Sequence, residues 1–155
     1  MKHLWAPWRQ EYIQSEKKGC FFCRAIDDTQ DDKNLILHRG KECFIILNKY
    51  PYNYAHLMVA PNEHRCSLKE LTQGEMLECM QLLCKVQAVL EQHLKPEGFN
   101  IGLNLGKAAG AGEEHLHFHI VPRWVGDTNY MPVLGETKVV SHYLSELLSR
   151  LKGSF

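Results

Sequence analysis

Apolar residues along this chain fall into short runs separated by turn-forming residues. Leu35–His38, Cys43–Leu47 and His56–Ala60 predict three strands, the first two joined by a turn at Arg39-Gly40-Lys41. Pro51 and Asn53 mark the stretch from Asn48 to Tyr54 as a loop, and Pro61 ends the third strand. The spacing then changes from strand-like to helical. Ser67 with Glu70, and Thr72 with Glu75, both match the capping-box pattern and predict a short helical turn followed by a long helix. Met76, Met80, Leu83, Leu90 and Leu94 recur at helical spacing, and Pro96 and Gly98 stop the helix. Phe99–Leu105 predicts a fourth strand and His115–Val121 a fifth, with the glycine-rich loop Gly106–Gly112 between them. Leu144, Leu147, Leu148 and Leu151 predict a C-terminal helix, with Gly153 just past its end. Hairpin-like neighbours imply an α+β fold: an antiparallel five-stranded sheet, one long central helix and a C-terminal helix packed on one face.

The fifth strand carries the main chemical signal. His115, His117 and His119 alternate with Leu116, Phe118 and Ile120. In a strand, alternate residues share a face. The three imidazoles therefore line one side, expected to be the side opposite the long helix, and the apolar residues face the core. Histidine titrates nearer neutrality than any other side chain.

Composition narrows the class. The 155 residues suit one domain spanning 1–155, and 45% hydrophobic with 23% charged residues is ordinary for a globular chain. No apolar run reaches membrane-spanning length and no signal-peptide core opens the chain, so a cytoplasmic protein with no membrane partner is expected. A formal net charge of zero removes the general electrostatic drive toward nucleic acid. Asp27 to Asn34 reads as a solvated polar loop. Cys43, Cys79 and Cys84 read as small buried hydrophobes.

Cys20-Phe21-Phe22-Cys23 is different. A C-x-x-C segment places two thiolates at chelating distance, and Cys20, Cys23, His64 and His115 would complete a closed structural zinc site. A redox dithiol is the rival reading, and Cys66 is a substitute ligand. One ion cannot easily take all three histidines of the row, because i and i+4 lie about 13 Å apart along a strand. His117 and His119 are then free for chemistry. Imidazole can attack phosphorus or a carbonyl carbon, and a second histidine can serve the leaving group. Gly106, Gly110 and Gly112 just before the row would let backbone N–H groups approach an anion.

His115-Leu-His-Phe-His-Ile-Val121 resembles the signature of the histidine-triad (HIT) superfamily. Asn48, His56 within Ala55–Pro61, His64 and Asn104 within Gly102–Gly106 fall in the order that family shows. The resemblance implies cleavage or exchange at the α-phosphate of a nucleotide or dinucleoside polyphosphate. It implies a homodimer whose sheets join. Within it His117 is the nucleophile, held through Nδ1 by the His115 carbonyl. His119 and His56 contact phosphate and leaving group, Asn48 lies near the ribose, and Asn104, Gly110, Ala111 and Gly112 lie near the phosphates. The zinc set is similar to one found in related bacterial proteins. Hydrolase members typically carry a glutamine where this chain has Ala111, which points away from water as acceptor. Leu4–Arg9 and Pro122–Val133 look like the bacterial diadenosine tetraphosphate phosphorylase branch, in which inorganic phosphate is the acceptor and ADP and ATP are the products. A phosphoramidase, a dinucleoside polyphosphate hydrolase and a non-catalytic nucleotide-binding module are the alternatives.

Overall fold

A computed structural model describes residues 19–127 and 144–155. Trp5, Trp8, the segment 128–133 and His142 lie outside the described residues. In chain order the elements are helix α1 (Phe21–Asp27), the single turn α2 (Asp31–Asn34), strands β1 (Ile36–Arg39), β2 (Cys43–Leu47) and β3 (Leu57–Pro61), a 3₁₀ turn (Leu68–Glu70), helix α3 (Gln73–Leu94), β4 (Gly98–Gly102), a second 3₁₀ turn (Lys107–Ala109), β5 (Phe118–Arg123) and helix α4 (Leu144–Leu151). The strands form one antiparallel sheet in the order β1-β2-β3-β5-β4.

Strand alternation sorts the core into two sides. Cys43, Ile45 and Leu47 of β2, Leu57 and Val59 of β3 and Ile120 of β5 pack with α3 and α4. Phe44, Ile46, Met58 and Ala60 face the other way and pack with Phe22 and Ala25 of α1. His119 pairs with Met58 across β3 and β5, so the histidine side of β5 is the side opposite α3, as alternation requires. The long and C-terminal helices share one face as expected, and a third helix covers the other. The segment carrying Cys20 and Cys23 is not a bare loop but the start of α1, which covers the histidine face. Phe22 anchors it at 2% exposure, a burial worth about 1.5–3 kcal/mol. The polar stretch from Asp27 to Asn34 likewise contains the α2 turn rather than loop throughout.

Helix α3 begins at the Thr72 capping box: the Glu75 N–H donates to Thr72 Oγ1, and the Thr72 N–H donates to the Glu75 carboxylate. The upstream Ser67 makes no such cap; there Glu70 instead accepts from the Cys66 N–H. The buried face of α3 comprises Glu75, Cys79, Leu82, Leu83, Val86, Val89 and Leu90. Met76 and Met80 are exposed, contrary to the apolar reading, because the stripe begins at a charged residue that a hydrophobicity pattern skips. Cys84 is also exposed, whereas Cys43 and Cys79 are buried as expected. Lys95 takes the left-handed conformation (φ +48°) that ends α3, with Pro96 following. At the β1–β2 turn, a Cβ on Gly40 would lie 2.6 Å from the Cys43 carbonyl oxygen. The Glu78 carboxylate fills that turn, accepting N–H bonds from Lys41, Glu42 and Cys43. Among the described residues no helix is long and apolar enough to cross a membrane.

Candidate active site and metal centre

Cys20 is the N-cap of α1 and Cys23 lies in its first turn, so both thiols point off one end of the helix. His64 follows β3, and His115 precedes β5. The fold brings these four residues together, with all their ligand atoms within 4.8 Å of one another. Cys20 Sγ lies 3.5 Å from His115 Nδ1, Cys23 Sγ 3.3 Å from His64 Nδ1, and Cys23 Sγ 3.6 Å from His115 Nδ1. Metal–ligand bonds of about 2.0–2.3 Å arranged tetrahedrally give ligand–ligand edges of roughly 3.3–3.8 Å. Three of the six edges match a tetrahedral ion, and the remaining pairs lie within 4.8 Å. The tautomer agrees. His115 Nε2 donates to the Pro61 carbonyl at 2.9 Å, which leaves Nδ1 as the free lone pair aimed at the thiols. Burial and the neighbouring Cys20 push the Cys23 thiol up to about 11, so a pair of thiolates here calls for a cation. Burial, and after it the His64 charge, holds His115 down at about 4 against the Pro61 hydrogen bond, and a neutral imidazole is the ligating form. Cys66 is exposed and is not one of the four. The two imidazoles facing the C-x-x-C favour chelation over the redox-dithiol reading.

The β5 ladder begins only at Phe118, so His115 and His117 precede the paired strand rather than lying in it. The N–H of Leu116 between them bonds to the Arg65 carbonyl at 2.6 Å and not to β3. His117 is 7% exposed, with its ring 4.8 Å from that of Phe22. Its Nδ1–H donates to the His115 carbonyl at 2.7 Å, leaving Nε2 as the free lone pair. Burial lowers the His117 pKa more than the carbonyl bond and Glu113 raise it, which keeps the ring neutral and nucleophilic.

His119 and His56 form a second unit. The Tyr52 N–H donates to His56 Nδ1 at 3.1 Å, and the Asn48 amide approaches the same atom at 3.3 Å. His56 Nδ1 is therefore the acceptor, and Nε2 carries the proton. It donates to His119 Nδ1 at 2.9 Å. His119 must then carry its own proton on Nε2, which is buried and has no hydrogen-bond partner. A buried donor without a partner is costly unless a ligand supplies the acceptor. The His119 ring meets that of His117 edge-on with centroids 4.7 Å apart, so the two rings adjoin. Burial, with the neighbouring histidines, holds His56 at about 3 and His119 at about 4. Three neutral imidazoles thus present one free lone pair and one orphan N–H side by side.

Asn48, Asn104 and the glycine-rich loop are the remaining expected residues. Asn48 follows β2 and also ties the loop, its Oδ1 accepting from the Tyr50 N–H at 2.9 Å. Asn104 lies half-buried after β4, its amide facing Gly110. Gly106 and Gly110 adopt φ of +79° and +85°, which explains glycine at both turns. Within the loop, the N–H groups of Ala109, Gly110 and Ala111 bond to the carbonyls of Gly106 and Lys107. Those amides close on the loop's own carbonyls and shape the turn. Gly112, next along, is exposed. Three residues that pattern reading passed over belong to the site. Phe22 packs on both His115 and His117, Tyr52 stacks on His56 and His119, and Glu75 holds Arg65. Only the aromatic character of the first two was visible in sequence.

Residues 29–125 match the family described as HIT domain. The chain belongs to the HIT family. Its sequence is 37% identical over 156 residues to an AP-4-A phosphorylase of Mycobacterium tuberculosis, covering 94% of this chain and 80% of that protein. A hypothetical histidine triad nucleotide-binding protein from Sulfolobus tokodaii superposes with a TM-score of 0.68 at 25% identity, over 87% of this chain and 91% of that one. A Zn-bound histidine triad family protein from Mycobacterium smegmatis gives a TM-score of 0.70 at 21% identity, over 90% of this chain and 94% of that one, and shows the shared fold. The HIT match takes in all five strands and the histidine row. Cys20 and Cys23 lie ahead of it, so the candidate metal site joins a segment outside the matched region to two histidines within it.

Proposed function

We propose that this HIT protein is a nucleotidyl transferase that cleaves dinucleoside polyphosphates at an α-phosphate through a covalent nucleotidyl-histidine. His117 carries the reading: its Nδ1–H is tied to the His115 carbonyl, so a buried, neutral Nε2 faces the site. Nε2 attacks the α-phosphorus, and the bond from phosphorus to the bridging oxygen breaks. The charge that builds on the departing polyphosphate is met by a hydrogen bond from His119 Nε2–H, and His56 Nε2–H, donating to His119 Nδ1, holds that donor in place. The orphan donor also offers the hydrogen bond that a phosphate oxygen needs as charge builds on it. His56, Asn48, Asn104 and the loop through Gly110, Ala111 and Gly112 form the walls around the nucleotide and its phosphates. A second nucleophile then reverses the chemistry, taking the nucleotidyl group and returning the lone pair to His117.

Inorganic phosphate is the proposed acceptor, giving ADP and ATP from diadenosine tetraphosphate. The likeness to the mycobacterial phosphorylase and the alanine at position 111 support it. Zinc is the proposed ion at Cys20, Cys23, His64 and His115. The two-thiol, two-imidazole donor set suits it, and its charge would let both cysteines ionise while fixing the segment whose carbonyl holds His117. A cytoplasmic homodimer of one HIT domain per chain completes the reading. Product analysis tests the acceptor: ADP plus ATP when phosphate is present supports phosphorolysis, and AMP plus ATP at a rate indifferent to phosphate assigns a hydrolase.

A further inference from the structure

Glu75 is 1% exposed, and neither the proposed chemistry nor the metal set uses it. Its carboxylate accepts from Arg65 Nε at 3.0 and 3.2 Å and from the Thr72 N–H at 2.7 Å. Burial pushes this carboxyl up, but the Thr72 N–H and the Arg65 guanidinium outweigh it, so Glu75 is an ionised group inside the fold. A buried ion pair is poor evidence for stability, since apolar residues of the same volume would serve as well. It does fix geometry. Arg65 stands next to His64, and its backbone carbonyl takes the Leu116 N–H at 2.6 Å. Leu116 joins His115, whose carbonyl holds His117 Nδ1, to His117 itself. The capped end of α3 is thus connected to the nucleophile through one carboxylate, one arginine and one peptide.

We propose that Arg65 and Glu75 are positioning residues: the ion pair fixes the Arg65 main chain, which holds the His115–His117 segment extended outside any strand ladder and so sets the direction of His117 Nε2. The segment has no strand partner at Leu116, and the Arg65 carbonyl replaces one. Neither residue touches substrate. The kinetic part of this inference rests on His117 being the nucleophile.

The test uses the full-length protein as purified, with Arg65→Ala, Arg65→Lys and Glu75→Gln, the last being a variant that keeps a cap acceptor and leaves the His64 neighbour in place. Formation of the nucleotidyl-enzyme from diadenosine tetraphosphate is followed in a single turnover and normalised to competent sites by its amplitude. AMP affinity and the imidazole ¹H–¹⁵N spectrum are measured in parallel. A fall of about tenfold or more in the per-site rate of Arg65→Ala and Glu75→Gln, with AMP affinity within about twofold and partial recovery in Arg65→Lys, supports positioning. In the spectrum, the variants should lose the single Nδ1–H tautomer of His117. An unchanged per-site rate, or loss of rate and AMP affinity in parallel, overturns it. If the wild-type protein forms no nucleotidyl-enzyme, the nucleophile reading fails separately, and the spectrum alone decides: a His117 tautomer unchanged in both variants overturns the positioning role.

Discussion

The carbonyl oxygen of His115 lies 2.7 Å from Nδ1 of His117. The same residue that aims its ring at Cys20 and Cys23 therefore fixes the tautomer of the neighbouring catalytic candidate with its backbone. One residue links the Cys20–Cys23–His64 cluster to His117. The row of three histidines is not one site but three roles, divided by the direction each ring nitrogen faces.

Replacing the nucleophile should separate chemistry from folding. His117→Ala removes a ring packed on Phe22 but leaves the His56–His119 pair and the metal set intact. Turnover should fall by roughly 10⁴-fold or more, with a circular dichroism spectrum like that of the wild-type protein. Steady-state rates and the spectrum check this together.

Removing one thiolate should cost both metal and stability. Cys23 Sγ approaches both His64 and His115, so Cys23→Ala removes one of the four ligands. Metal content should drop from about one equivalent toward zero, and the melting temperature should fall to that of chelator-treated wild-type protein. Elemental analysis and thermal unfolding provide the measurement.

Acid should destabilise the protein through the histidine pair. His56 and His119 are held at about 3 and about 4, below the value of roughly 6.5 for an unfolded chain. Between those limits the unfolded state binds protons that the folded state refuses. Stability is therefore fully present above about pH 6.5 and declines as pH falls toward 4, on the order of 1.4 kcal/mol per pH unit for each group. Denaturant unfolding at pH 7, 6 and 5 (chosen about these values) should show that slope, and His119→Gln should show a shallower one. Metal-ligand protonation is common to both proteins and drops out of the difference.

Past β5, Asp127 accepts two bonds from Arg123, one from the Asn53 amide at 2.7 Å and one from the Trp124 N–H at 3.2 Å. Asp127→Ala strands these donors at the end of the sheet. A loss of about 1.5–3 kcal/mol is expected for charge-assisted bonds of this kind, measured by denaturant unfolding, with the active-site tautomers unaffected.

The legible parts of this chain are those in which one local period governs. β2 lies where its flanking turn residues place it and β3 starts one residue late, α3 starts at the Thr72–Glu75 box, and Leu147, Leu148 and Leu151 bury one face of α4. Side-chain chemistry pointed to Cys20, Cys23, His64 and His115, and the fold brings these four together from three distant segments. What escaped had non-local causes. The seven residues of α1 carry too little periodicity to show a helix, and they are held by Phe22 packing on the sheet. Met76 and Met80 look like core because nothing local shows that Glu75 is buried by an arginine ten residues earlier. The histidine row reads as a strand throughout, yet its first half pairs with Arg65 rather than β3. The loop from Gly106 to Gly112 reads as an anion cradle, yet three of its amides close on its own carbonyls.

The most direct measurement is to trap the intermediate and locate it. The protein is mixed briefly with diadenosine tetraphosphate without phosphate, quenched in base to preserve a phosphoramidate bond, digested and mapped by mass spectrometry. An adenylyl group on His117, absent from His117→Ala and discharged to ADP when phosphate is added, is the outcome required by a nucleophilic Nε2 held through the His115 carbonyl. Adenylylation at another residue, or full turnover with no adduct at any histidine, contradicts it.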